Sequence, residues 1–113
     1  MLLARRGDGH VLLERRPERG VWGGLWCPPQ FPSLDAARLY AETHLEAATL
    51  ETEARPVLRH AFTHFELEIT PVLVQCRGQI GVMEQTPTVW YNPAEPERLG
   101  MPAPVTVLIQ GLA

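Results

Sequence analysis

The run RHAFTHFELEI, residues 59–69, constrains the fold more than any other in the chain. In its second half Phe65, Leu67 and Ile69 fall on one face of an extended backbone, while Glu66, Glu68 and Thr70 fall on the other. A period of two is the mark of a half-buried strand. Arg59 to Ala61 also read as extended, so a turn must join two paired β segments. That turn holds Phe62, Thr63 and His64 and contains no Gly, Pro, Asn or Asp, the residues that turn a chain most readily. A ring, a hydroxyl and an imidazole stand where a turn-former would serve folding better.

The remainder of the chain sorts into short strands and few helices. MLLARR and HVLLERR flank GDG and predict two strands about a tight turn, because Asp8-Gly9 supplies the positive φ that hairpins favour. PERGVWGGLW follows as a Gly-rich loop with Trp22 and Trp26. LWCPPQF is short and extended, kept from helix by its prolines. SLDAARLYAETHLEAA is the one good helix candidate, with Ser33 as N-cap and Asp35 in the first turn. Leu34, Ala37, Ala41, Leu45 and Ala48 mark its apolar face. Strands are expected at residues 55–61, 65–75 and 88–92. VTVLIQGL reads as a closing helix, although its β-branched residues also suit a strand. Strands around one or two helices make an α+β, or mixed α/β, domain.

At 113 residues the chain is one domain, large enough for a core without disulfides or metal. No apolar run approaches the roughly 18 residues that would span a membrane. MLLARR is too short, with its arginines on the wrong side, for a signal peptide. A strand-like segment straight after Met1 suggests a piece of something longer. All ten basic residues are arginines, and the net charge is −3. Non-specific grip on nucleic acid depends on neutralising phosphates and is therefore expected to be poor. Residues 1–20 carry five arginines against three acids (Asp8, Glu14, Glu18), a local surplus of +2 that leaves −5 for the rest. Arg5, Arg6, Arg15, Arg16 and Arg19 could touch phosphates or a neighbouring domain, or be ordinary surface charge. Cys27 and Cys76 stand alone, too few for structural zinc or an iron–sulfur cluster. They read as free thiols in a reducing, cytoplasmic compartment.

RGVWGGLWCPPQF is the most distinctive string in the chain. Gly23 and Gly24 allow close backbone approach or positive φ. The two tryptophans can lock the loop against the core or serve as a platform for a ring. With VLLERRPE before it, this string resembles the opening of the C-terminal domain of MutY-type adenine DNA glycosylases. So do LRHAFTHFELEITPVLV and WYNPAEPERLGMPAPVTVLIQGL, three ordered blocks covering nearly the whole chain.

The resemblance implies a Nudix-like fold, a curved mixed sheet with one main helix and a C-terminal helix. It also implies a parent whose absent N-terminal catalytic domain carries the iron–sulfur cluster, with no cofactor in this part. In that family the loop matching Phe62, Thr63 and His64, usually Phe-Ser-His, reaches the 8-oxoguanine opposite the adenine to be removed. Arg59 is grouped with them as a binding residue. The chemistry is sound: oxidation gives guanine a donor at N7 and an acceptor at O8, and a hydroxyl both donates and accepts. Thr63 keeps the hydroxyl of the family's Ser but stiffens χ1. Phe62 offers a face for stacking or wedging, and His64 a second polar contact. The bland alternative folds Phe62 into the core, spends Thr63 on backbone and leaves His64 merely exposed. The implied partners are duplex DNA with 8-oxoguanine:adenine mispairs and the parent's own catalytic domain, with a monomer in a cytoplasmic, nucleoid-associated setting.

A rival reading is a divergent Nudix hydrolase acting on a nucleoside diphosphate derivative. Active members carry G-x5-E-x7-R-E-U-x-E-E-x-G-U, whose acids gather magnesium. With Arg38 set on the motif's Arg, Leu39 falls where the first Glu belongs, Glu42 matches one later acid and Thr43 replaces its neighbour. The hydrolase reading fails at its own motif. A protein-interaction platform, for example for a replication clamp, has no specific motif here.

Overall fold

The structure is a computed structural model describing residues 1–45, 52–77, 87–96 and 98–112. Strands β1 (Leu2–Arg6) and β2 (Val11–Arg15) form the first hairpin, antiparallel with Arg5 opposite Val11. Gly9 takes φ +88°, as the Asp8-Gly9 pair predicts. Asp8 fixes this turn by accepting from the His10 backbone N–H at 3.1 Å and from both Nε and Nη2 of Arg6 at 3.2 and 2.8 Å. The His10 N–H, helped by Arg6, holds the Asp8 carboxyl below its usual range.

β3 (Trp26–Cys27), α1 (Leu34–His44), β4 (Thr52–Ala54), β5 (Leu58–Ala61), β6 (Glu66–Ile69), β7 (Val72–Cys76), β8 (Thr88–Tyr91) and α2 (Ala103–Gln110) follow. The main sheet runs β3-β2-β1-β7-β4, with β8 also paired to β2. β1 and β7 are parallel, Leu2 opposite Val72, while the other pairs are antiparallel, so the sheet is mixed. β5 and β6 pair with each other in a separate two-stranded sheet.

Helices cover both faces of the main sheet. On one, Leu3, Val11, Leu13 and Tyr91 pack with Val105, Ile109 and Leu112 of the α2 region. On the other, Leu2, Ala4, Leu12 and Val74 pack with Ala37, Ala41 and Leu45 of the α1 region. Double coverage explains why MLLA and VLL are continuous apolar runs instead of alternating ones.

Ser33 caps α1 as its sequence position predicts: its Oγ accepts from the Ala36 N–H at 3.1 Å, a contact worth about 1 kcal/mol. Ala37, Ala41 and Leu45 are buried, but Leu34, the first residue of α1, is 45% exposed. Ala48, assigned to the same face, lies outside the described residues. The closing segment is helical. Pro102 is its N-cap and Pro104 lies in its first turn, where a missing N–H costs nothing, and Val105, Ile109 and Leu112 fall on one helical face.

Two strand expectations change. The run 65–75 is two strands, broken at Thr70-Pro71, because Pro71 cannot donate to a ladder. The break moves the chain from the small sheet to the large one, and the Pro71 carbonyl accepts instead from the Arg55 N–H at 2.9 Å. The run 55–61 likewise begins only at Leu58, after Pro56.

Candidate nucleic-acid interface

The β5–β6 hairpin presents its turn to solvent. Leu58 pairs with Ile69, Arg59 with Glu68, His60 with Leu67 and Ala61 with Glu66. The Phe62 N–H then donates to the Phe65 carbonyl at 2.7 Å, closing the turn with Thr63 and His64 at its tip. Neither tip residue has a positive φ. This turn therefore needs no Gly or Asn, which resolves the puzzle set by its composition. Thr63 and His64 are exposed, while Phe62 is half-buried.

Phe62 is in contact with three other aromatic rings. It stacks on Phe65 at 4.6 Å between centroids and 19°, and meets His60 edge-on at 4.7 Å. Trp22, remote in sequence, lies 6.3 Å from Phe62 and 6.0 Å from His60. Such offsets and tilts are the favourable geometries for ring quadrupoles. Phe65, expected on the inward face, is 49% exposed, because the strand has already left the core where its ring stands.

Arg59 does not join this group. Opposed residues share a face, so Leu58, His60 and Phe62 point one way and Arg59 and Ala61 the other. Arg59 stands beside Glu68, Nε to Oε2 3.8 Å, on an exposed surface that also carries Glu66. Two N-terminal arginines are also engaged within the domain. Arg6 lies 4.7 Å over the Trp90 ring besides clasping Asp8, and Arg15 holds Glu18 at 2.9 Å and the Gly24 carbonyl at 3.2 Å.

The loop carrying Trp22 is tightly folded. The Gly24 N–H reaches the Arg16 and Pro17 carbonyls at 3.2 and 3.1 Å, and the Leu25 N–H reaches Trp22 O at 3.1 Å. Gly24 takes φ +74°, while a Cβ on Gly23 would collide with the Glu18 carbonyl oxygen. Trp22 itself has φ +56°, alone among the described non-glycine residues in being positive. The sequence allows Trp22 to be either a core lock or a ring platform. The structure packs it against the α2-side core and against the turn's aromatics.

A groove of about 510 Å³ lies between the base of the hairpin and the start of α1, walled by Met1, Phe31, Leu34, Ala37, Leu67 and Ile69 among others. Phe62, Thr63 and His64 do not line it.

A mixed sheet with a helix on each face and a projecting hairpin defines a Nudix-like α+β fold. A family model described as NUDIX domain matches residues 1–111, and the chain belongs to that family. Its fold resembles that of the C-terminal domain of mouse MUTYH, solved in complex with human PCNA, at a TM-score of 0.65. That match covers 97% of this chain and 83% of the other at 13% identity. A Nudix hydrolase from M. Smegmatis, RenU, matches at a TM-score of 0.54 and 20% identity, over 98% of this chain and 80% of that one. Relatives by sequence include the adenine DNA glycosylases of Buchnera aphidicola subsp. Baizongia pistaciae and subsp. Acyrthosiphon pisum, each 27% identical. The alignments cover 88% and 91% of this chain but only 28% and 29% of those relatives.

Among the described residues the side chains do not fit the magnesium site of Nudix hydrolases. α1 offers Asp35 and Glu42, two turns apart, and exposes Leu39 (65%) at the motif's acid position. Among the described residues no group of three His, Cys, Asp or Glu side chains could hold a metal ion. Cys27 and Cys76 lie in cores on opposite faces of the sheet and cannot share a cluster. Burial pushes the Cys27 thiol up to about 11, so it is neither a ready nucleophile nor a ready ligand.

Proposed function

We propose that this domain supplies lesion specificity to an adenine DNA glycosylase, with the Phe62-Thr63-His64 turn reading 8-oxoguanine opposite the mispaired adenine. The observation that carries the reading is the exposure of Thr63 at a hairpin tip whose flanking ring, Phe62, is held by three others. A hydroxyl at such a tip can accept from the lesion's N7–H while donating to O8, a pairing unmodified guanine does not satisfy. The glycosylase relatives and the likeness to the MUTYH C-terminal domain support the same assignment.

The base itself is removed elsewhere. Excision needs an extruded adenine and acid and nucleophile groups of a separate catalytic domain, where the parent's iron–sulfur cluster also belongs. Linked to that domain, a module of net charge −3 acts at high effective concentration and needs little affinity of its own. His64 adds a polar contact at the tip. Arg59, on the opposite face, could meet DNA only if the duplex wraps the hairpin. We assign the domain no hydrolase activity of its own: with magnesium and an oxidised nucleoside triphosphate, no pyrophosphate release is expected, and measurable release would favour the hydrolase reading.

The decisive experiment places Thr63→Val in the full-length protein and compares adenine removal opposite 8-oxoguanine with removal opposite guanine. Losing a hydrogen-bonding partner at a specificity contact should narrow that preference by about tenfold. An unchanged ratio would overturn the assignment.

A further inference from the structure

We propose that Trp22 is a positioning residue for the reading turn, holding Phe62 and with it the Thr63 hydroxyl in the attitude that meets the lesion; this rests on the reading of Thr63 given above. β5 and β6 share no ladder with the main sheet. A two-stranded hairpin is marginal by itself, so packing sets its orientation. At its base, Ile69 is buried in the α2-side core, with Leu58 and Leu67 packed against it. Toward its tip, among the described residues, the ring that reaches the aromatics from outside the hairpin is Trp22.

Trp22 reaches them at a cost. A left-handed backbone in a residue with a Cβ is unfavourable by about 1–2 kcal/mol, and two glycines that adopt it freely follow immediately. The fold uses it at Gly24, φ +74°, yet also places it on the tryptophan, at φ +56°. With Leu25 N–H on Trp22 O and Arg15 on Gly24 O, hydrogen bonds hold the segment that leaves Trp22 in place. The indole is thereby directed between the core and the pair His60 and Phe62. Persistent strain of this kind collects where a side chain must be aimed.

The test uses the full-length protein with Trp22→Gly, Trp22→Phe, Phe62→Ala, Thr63→Val and the double variant Trp22→Gly/Phe62→Ala. Glycine accepts φ +56° without strain, so Trp22→Gly keeps the loop and deletes only the ring. It is expected to reduce the preference for adenine opposite 8-oxoguanine over guanine by about threefold to tenfold. Trp22→Phe should restore most of that preference. The double variant should be no worse than Phe62→Ala, because both act through one ring. Melting temperatures separate folding from positioning. A Trp22→Gly protein that loses thermal stability but keeps the ratio, or losses that multiply in the double variant, would overturn the inference while the Thr63 reading stands. An unchanged ratio in Thr63→Val removes that reading and this inference together.

Discussion

Replacing Ile109 with alanine should lower the unfolding free energy by about 2–5 kcal/mol, the cost of deleting buried methyl and methylene groups from a packed core. Ile109 is 0% exposed and lies with Val105 and Leu112 against Leu3, Val11, Leu13 and Tyr91. Its removal opens a void between α2 and the centre of the sheet, where strands on either side limit collapse. For a domain whose total stability is about 5–15 kcal/mol, such a loss is a large fraction. Urea unfolding should show a lower midpoint at unchanged slope, since the surface exposed on unfolding barely changes. Val107, on the same helix but 72% exposed, is the control. Val107→Ala should stay within about 0.5 kcal/mol. Equal effects from the two would mean that α2 does not dock through the Val105–Ile109 face.

Gly23→Ala is the second large effect. The added methyl would meet the Glu18 carbonyl oxygen at contact, with the Glu18 carbonyl carbon at 2.8 Å and Pro17 O at 3.2 Å. All three are backbone atoms, so no side-chain rotation relieves the overlap; the 17–25 loop must open. A loss of about 2–3 kcal/mol is expected, read as a lower melting temperature. Gly7 supplies the contrast, because a Cβ there meets nothing within 4 Å and its φ is not left-handed. Gly7→Ala should be neutral or gain a few tenths of a kcal/mol by stiffening the unfolded chain. A Gly23→Ala domain as stable as Gly7→Ala would mean that the loop is not folded back on Glu18.

These contrasts indicate which features were legible in the sequence. Asp8-Gly9 and the Ser33 cap act within a few residues of themselves, so local reading finds them. The break at Pro71 also had its signal, a proline inside an alternating run, and alternation along 59–62 puts Arg59 and Phe62 on opposite faces of the first strand. The Trp22 contact to His60 and Phe62 had none: it joins segments far apart in the chain through side chains, and only the assembled fold brings them together. The left-handed conformation at Trp22 was equally hidden, since two adjacent glycines are the cheaper places for it. Phe65 misled because alternation reports which face a residue takes, not how far along the strand the core extends.

The parallel register of β1 with β7 has a consequence for biosynthesis. Among the strands of this domain the central one is made first, yet its partner, Val72–Cys76, follows only after the first hairpin, α1 and the projecting hairpin have been made. Until then β1 lacks its parallel neighbour, Leu3 waits longer still for Val105 and Ile109, and closing so long a span is entropically slow. The nascent domain thus passes through an interval in which sticky surface is open to chaperones and to neighbouring chains.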